Sequence, residues 1–187
     1  MKIFIALLAS VASQAVIAFK VPPGAADGVY TASFAEEDGS EVYEYIQDVA
    51  GITSRTTPMI SRYEHLVPST LTKRNRTWCG CGIGMDRNDC DGATHCLEDF
   101  LGSGRIIEPY KGLFCKYGSV VAFMCEHSNE IRNTNNGDAY VSFQYVTQSC
   151  GLYIAGTAQL DGGLTGGYMR TSDDFCFHDE DSGAGSC

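Results

Sequence analysis

The chain has 187 residues, with 23 acidic against 13 basic side chains and a net charge of −10. From Asn75 onward the imbalance sharpens to 15 acidic against 7 basic. That sign works against nucleic acid, whose phosphates are neutralised by Lys and Arg, and against docking on anionic lipid; the length fits about one domain.

Met1-Lys2 supplies a short positive start, and Ile3 to Ile17 is almost wholly apolar, broken by Ser10, Ser13 and Gln14. Val16-Ile17-Ala18 is the aliphatic-x-small pattern that signal peptidase accepts, so residues 1–18 read as a signal peptide cut after Ala18. A membrane anchor needs about 20 apolar residues; this stretch is shorter and runs into Phe19-Lys20-Val21-Pro22-Pro23. No later segment is apolar enough to span a bilayer, so a secreted, extracellular product with no membrane span is expected.

Residues 19–74 contain no cysteine, and all nine cysteines lie beyond residue 78. The first block reads as a propeptide or an N-terminal hairpin segment, the second, residues 75–187, as a cysteine-rich domain. In the first block, Val29 to Phe34 and Glu41 to Ile46 are rich in β-branched and aromatic residues. Glu36-Glu37-Asp38-Gly39-Ser40 between them is turn chemistry, which predicts a β-hairpin. After Gly51 the chain turns polar and reads as a loop. Lys73-Arg74, the only Lys-Arg in the chain, is the dipeptide that kexin-type proteases cut after, and it sits at the boundary between the blocks. Asn75-Arg76-Thr77 is an N-glycosylation sequon; a sugar on Asn75 would hinder cleavage next to it.

In the second block a helix is predicted from about Asp89 to Leu101, capped by Asn88 or Asp89. Cys90, Ala93, Cys96-Leu97 and Phe100-Leu101 share one face, and Gly102 follows as the stop. Ser119 to Cys125 is an unbroken apolar run, as expected of a central strand buried on both faces. Tyr140 to Val146 alternates and predicts a further strand, with Asn133 to Asp138 before it as a polar loop. Leu152 to Ala155 reads as a short strand, and Gly162, Gly163, Gly166 and Gly167 as a flexible connection. The tail from Asp179 to Gly185 is acidic and rich in small residues. The expected fold class is α+β: a small disulfide-stapled domain with a helix packed on an antiparallel sheet.

Cys79, Cys81, Cys90, Cys96, Cys115, Cys125, Cys150, Cys176 and Cys187 are all disulfide candidates. Nine is odd, so one thiol remains; Cys187 on the terminal tail is the expected odd one, which would allow a covalent dimer. Zinc is not expected, because the spacing lacks paired Cys-x-x-Cys motifs; the nearest extra ligands would be His95 and His127. A Cys125–His127 nucleophilic pair is set aside, since Cys125 lies in an apolar run and reads as bridged. His95, His127 and His178 with Glu98, Glu126 or Glu130 contain the residue types of a ribonuclease-like acid–base set, but no trio stands out. His178-Asp179-Glu180-Asp181 carries oxygen ligands for a divalent cation, although a solvated tail is the simpler reading. No catalytic residue, cofactor or metal is assigned.

The order of signal, cysteine-free leader, Lys73-Arg74 and cysteine-rich domain resembles that of secreted fungal killer toxins and killer-toxin-like effectors of plant-associated fungi. The helix from Cys90 to Leu101 and the late strands from Val141 to Cys150, together with Lys73-Arg74, carry the resemblance, which spans roughly residues 75–160. The chain is more acidic than the basic toxins, which argues against direct attack on a membrane or channel. The resemblance implies a toxin or effector, a virulence factor or growth inhibitor, that binds an extracellular or host target, a protein or a cell surface. A secreted hydrolase such as a ribonuclease, or an extracellular structural protein, are the alternatives.

Overall fold

The computed structural model describes residues 18–49 and 76–176. The predicted hairpin forms: β1 is Gly28–Phe34 and β2 is Glu41–Asp48. Its turn is closed by the Ala35 amide, which donates to the Ser40 carbonyl, and by the Ser40 amide, which donates to the Asp38 carboxylate at 2.9 Å. The second stretch then supplies β3 (Thr77–Gly84), α1 (Arg87–Leu101), β4 (Arg105–Ile107), β5 (Gly112–Tyr117), β6 (Val120–Glu126) and β7 (Arg132–Thr134). It continues with α2 (Asn136–Cys150), β8 (Ile154–Gln159), a 3-10 turn at Asp161–Gly163, and β9 (Leu164–Arg170).

Seven strands form one sheet in the order β2-β1-β5-β6-β9-β8-β3, every neighbouring pair antiparallel, while β4 and β7 make a separate ribbon. The apolar run read as a central strand is β6, the middle of the seven, and every one of its residues is buried. Alternation along the strands divides the core into two layers. On one face Val29, Leu113, Cys115, Ala122, Met124 and Tyr168 pack against α1 and α2. On the other, Tyr30, Phe114, Phe123 and Met169 pack under Phe19, Val21 and Phe175. The architecture is therefore a small α+β domain with two helices on an antiparallel sheet.

Four local expectations are corrected. Helix α1 begins earlier than predicted, at Arg87, and its cap is Asp86, which accepts from the Asn88 and Asp89 amides. Asp89 instead reaches across to the β5–β6 turn and accepts from the Ser119 amide and hydroxyl at 2.8 and 2.7 Å. Tyr140 to Val146 is not a strand but the middle of α2. Asn135 caps that helix and Asp138 returns the bond, a reciprocal capping box. Ala139, Phe143, Val146 and Cys150 then lie on its buried face at helical spacing. The segment read as a short strand from Leu152 is offset: β8 starts at Ile154.

The last correction concerns the glycines. Gly166 and Gly167 are not a flexible connection but part of the buried strand β9. A Cβ on Gly166 would collide with the Met124 sulfur and the Ser142 hydroxyl beneath α2, and one on Gly167 with the backbone oxygen of Gly156. Small residues here let a helix and a neighbouring strand approach closely.

Three bridges staple these layers. Cys79–Cys150 ties β3 to the end of α2, Cys96–Cys115 ties α1 to β5, and Cys125–Cys176 ties β6 to the segment after β9. Their Cα separations of 5.3, 6.1 and 5.7 Å are ordinary for disulfides. Cys81 is disulfide-bonded as well. The free thiol among the described residues is Cys90, which corrects its place among the disulfide candidates. It points from the second turn of α1 into a core where every other described cysteine is already bonded. Cys187, the expected odd one, lies outside the described residues. Cys90 is 0% exposed and out of reach of a second chain.

Candidate functional site: an acidic sheet edge beside a shallow groove

Strand β2 ends the sheet. Among the described residues no strand pairs with its outer side, so its backbone donors and acceptors there are open to a further strand. Its apolar side chains are not tucked away: Val42, Tyr45 and Ile46 are 45%, 48% and 40% exposed. The hairpin from Gly28 to Asp48 carries six carboxylates, Glu36, Glu37, Asp38, Glu41, Glu44 and Asp48, and no Lys or Arg.

The register explains how a groove arises beside this edge. Thr31 and Ser33 on β1 stand opposite Glu44 and Val42 on β2, and Thr31 stands opposite Leu113 on β5. These residues share the helix-side face of the sheet. The helices, however, lie over the sheet from β3 to β5 and reach only part of β1, and the chief neighbour of β2 is β1. The uncovered strip is walled by Ile106, Glu108 and Lys111, which follow α1 in the chain. Lys111 and Glu108 form an ion pair at 2.5 Å, so the one cation at the wall is already neutralised. The cavity is about 210 Å³. Small-molecule sites usually run to about 300–1,000 Å³, so this one is sized for one or two side chains of a larger partner.

On the opposite face the hairpin is anchored. Tyr45 meets Tyr30 edge-on at 5.1 Å, and Tyr30 stacks on Phe114 at 5.0 Å. The Tyr43 hydroxyl contacts the Glu41 carboxylate and donates to the Lys20 carbonyl. Burial first, then the Glu41 carboxylate, pushes its phenol well above the ordinary tyrosine range.

Of the residues considered for acid–base chemistry, Glu126, His127 and Glu130 gather at the end of β6, while His95 lies on α1. Glu126 is fully buried at the end of β6. One of its oxygens accepts from the Ser128 amide at 2.8 Å and the other from Arg132 Nε at 3.2 Å. Arg132 in turn donates to the Gly162 carbonyl and to Glu130. This is a clamp joining β6, β7 and the 3-10 turn, with no face of the Glu126 carboxylate turned to solvent. His127 Nε2 lies 2.8 Å from the Thr165 hydroxyl. His95 is buried on α1, about one turn before Glu98 and nearly two turns before the helix end.

Cys125 is bridged to Cys176 and offers His127 no thiolate. No group of three or more His, Cys, Asp or Glu suited to a metal occurs among the described residues. Lys73, Arg74, Asn75, His178, Asp179, Glu180 and Asp181 lie outside the described residues. No described helix is long and apolar enough to cross a membrane. The sheet edge was missed in the sequence because a strand's neighbours are invisible there; the run of six acids without a cation was the available signal. No family model matches the chain, and neither a curated protein nor a solved structure is detectably similar to it.

Proposed function

We propose that this is a secreted binding protein of the toxin or effector type, acting outside the producing cell, whose contact surface is the outer edge of β2 and the groove beside it. The observation that carries this reading is a sheet edge that no described strand covers, with exposed Val42, Tyr45 and Ile46 and with carboxylates but no Lys or Arg between Gly28 and Asp48. An extended segment of a partner protein can add to such an edge, its backbone bonding to β2 and alternate side chains entering the groove. The charge selects the partner: a basic segment is attracted, whereas a second copy of this edge would bring carboxylates against carboxylates. Four disulfide-bonded positions on the sheet and helices, Cys79, Cys150, Cys96 and Cys115, suit the oxidising compartment that the signal-like start implies.

The test uses synthetic extended peptides that alternate Lys with Val, beside matched peptides that alternate Glu with Val. Binding of the Lys peptide alone is expected, weakening as salt is raised and at least tenfold weaker in Glu44→Lys. Equal binding of both peptides, or of neither, overturns the edge assignment. The same protein is applied to sensitive fungal or plant cells, where growth inhibition or necrosis that Glu44→Lys abolishes is expected. A hydrolase reading would replace this one if RNA or glycan were turned over and His127→Ala or His95→Ala stopped it.

A further inference from the structure

The cysteine-free leader is built into the sheet of the domain that follows it. Strand β1 is an interior strand, paired with β2 on one side and with β5 on the other from Gly28 opposite Lys116 to Ala32 opposite Gly112. Phe19, the first residue after the expected signal cleavage, is 0% exposed. Its amide donates to the Phe175 carbonyl at 2.9 Å, and the Phe175 amide donates back at 2.8 Å. An N-terminal ammonium at Phe19 keeps that donor. The ring of Phe19 stacks on Phe34 at 4.8 Å and meets Phe175 at 6.0 Å. Asp27 pairs with Lys116 and also accepts from the Gly118 amide. Without these elements Phe114, Phe123 and Phe175 would face water, as would one whole edge of β5.

Lys73-Arg74 lies in the stretch 50–75, which joins the two described pieces, so a cut there severs none of the described strands. The leader holds no cysteine, so no disulfide would keep it attached. We propose that hydrolysis of the Arg74–Asn75 bond, by a kexin-type serine protease, yields a two-chain protein rather than a freed domain. Water supplies the hydroxyl of the new Arg74 carboxylate and the proton of the new Asn75 amine. The chain from Phe19 to Arg74 then stays in place as a noncovalent subunit, held by the β1–β5 ladder and the aromatic layer. It is a permanent part of the sheet, and the proposed contact edge on β2 travels with it.

The experiment treats the secreted protein, and its Asn75→Gln variant to remove any glycan, with a purified kexin-type protease. Intact mass is then measured in native and in denaturing, non-reducing solution. The expected result is one native mass equal to the uncut protein plus one water, which separates into two chains on denaturation. In Phe19→Ala the small chain is expected to leave at least tenfold faster. A native mass of the 75–187 chain alone, still folded, overturns the proposal. Resistance of both the native and the Asn75→Gln protein to the protease overturns it too, because the site would then not be processed.

Discussion

Cys90 shows how a single side chain sets a pH limit on the fold. Burial, and after it the carboxylates of Asp91, Asp86 and Asp89, pushes its thiol far above the ordinary cysteine range of about 9. The phenols of Tyr43, Tyr30 and Tyr153 are raised from 10.0 in the same sense, burial being the first cause in each. In the unfolded chain these groups lose their protons first. Above pH 9 the unfolded state therefore binds fewer protons than the folded one, and stability falls as pH rises. Full stability from these groups is expected below about pH 8, with a loss that starts near pH 9 and steepens past 10. Urea midpoints measured from pH 7 to 11 check this, and Cys90→Ala should flatten the first part of the decline. A flat profile in the wild type would mean that these groups are not shielded from solvent as described. At the same scale, a thiol-specific reagent at pH 7.5 should leave Cys90 unmodified until the protein is unfolded.

At the scale of elements, α2 is where sequence and structure part. The alternation of Val141, Phe143 and Tyr145 fits a strand, and β-branched and aromatic residues favour one. The spacing of Ala139, Phe143, Val146 and Cys150 fits a helix over the same residues, and only burial decides between them. What the sequence did offer was Asn135 with Asp138 three residues on, a capping pair whose role the loop reading hid. By contrast α1 was legible because its apolar face, its acidic start and Gly102 all agree, and β6 because no helix-like gap interrupts it. The sheet order, which places β1 between β2 and β5 and so creates the open edge, depends on pairings up to some ninety residues apart, such as Gly28 with Lys116. Nothing local encodes those. Two variants test the element assignments. Asn135→Ala should remove the cap and lower stability by about 1 kcal/mol, whereas a strand over the same residues would be indifferent to it. Gly167→Ala forces a methyl against the Gly156 carbonyl of the neighbouring strand, and a loss of about 1–3 kcal/mol is expected. A flexible glycine linker would tolerate the same change without measurable effect. Both are read from urea unfolding followed by circular dichroism.

For the whole molecule, the disulfides decide how far the layers depend on one another. Chain entropy alone ranks them by loop length: Cys79–Cys150 closes 71 residues, Cys125–Cys176 closes 51 and Cys96–Cys115 closes 19. The corresponding stabilisations are about 4.4, 4.1 and 3.2 kcal/mol. The first two differ by only about 0.3 kcal/mol, so packing sets their order. Cys176 follows Phe175, a fully buried ring that contacts Phe19, Phe114 and Phe123. Freeing that end of the chain endangers a side-chain burial worth about 1.5–3 kcal/mol, and with it the pairing that seats Phe19. The paired variant C125A/C176A is therefore expected to lose more than C79A/C150A, and C96A/C115A least, in unfolding free energy measured under identical conditions. Its loss should be accompanied by faster proteolysis at Phe19–Lys20, because Phe19 has then lost its partner strand. If C79A/C150A proved the most damaging, loop closure rather than the aromatic layer would be governing the fold, and the leader would be held chiefly by β1 and β5.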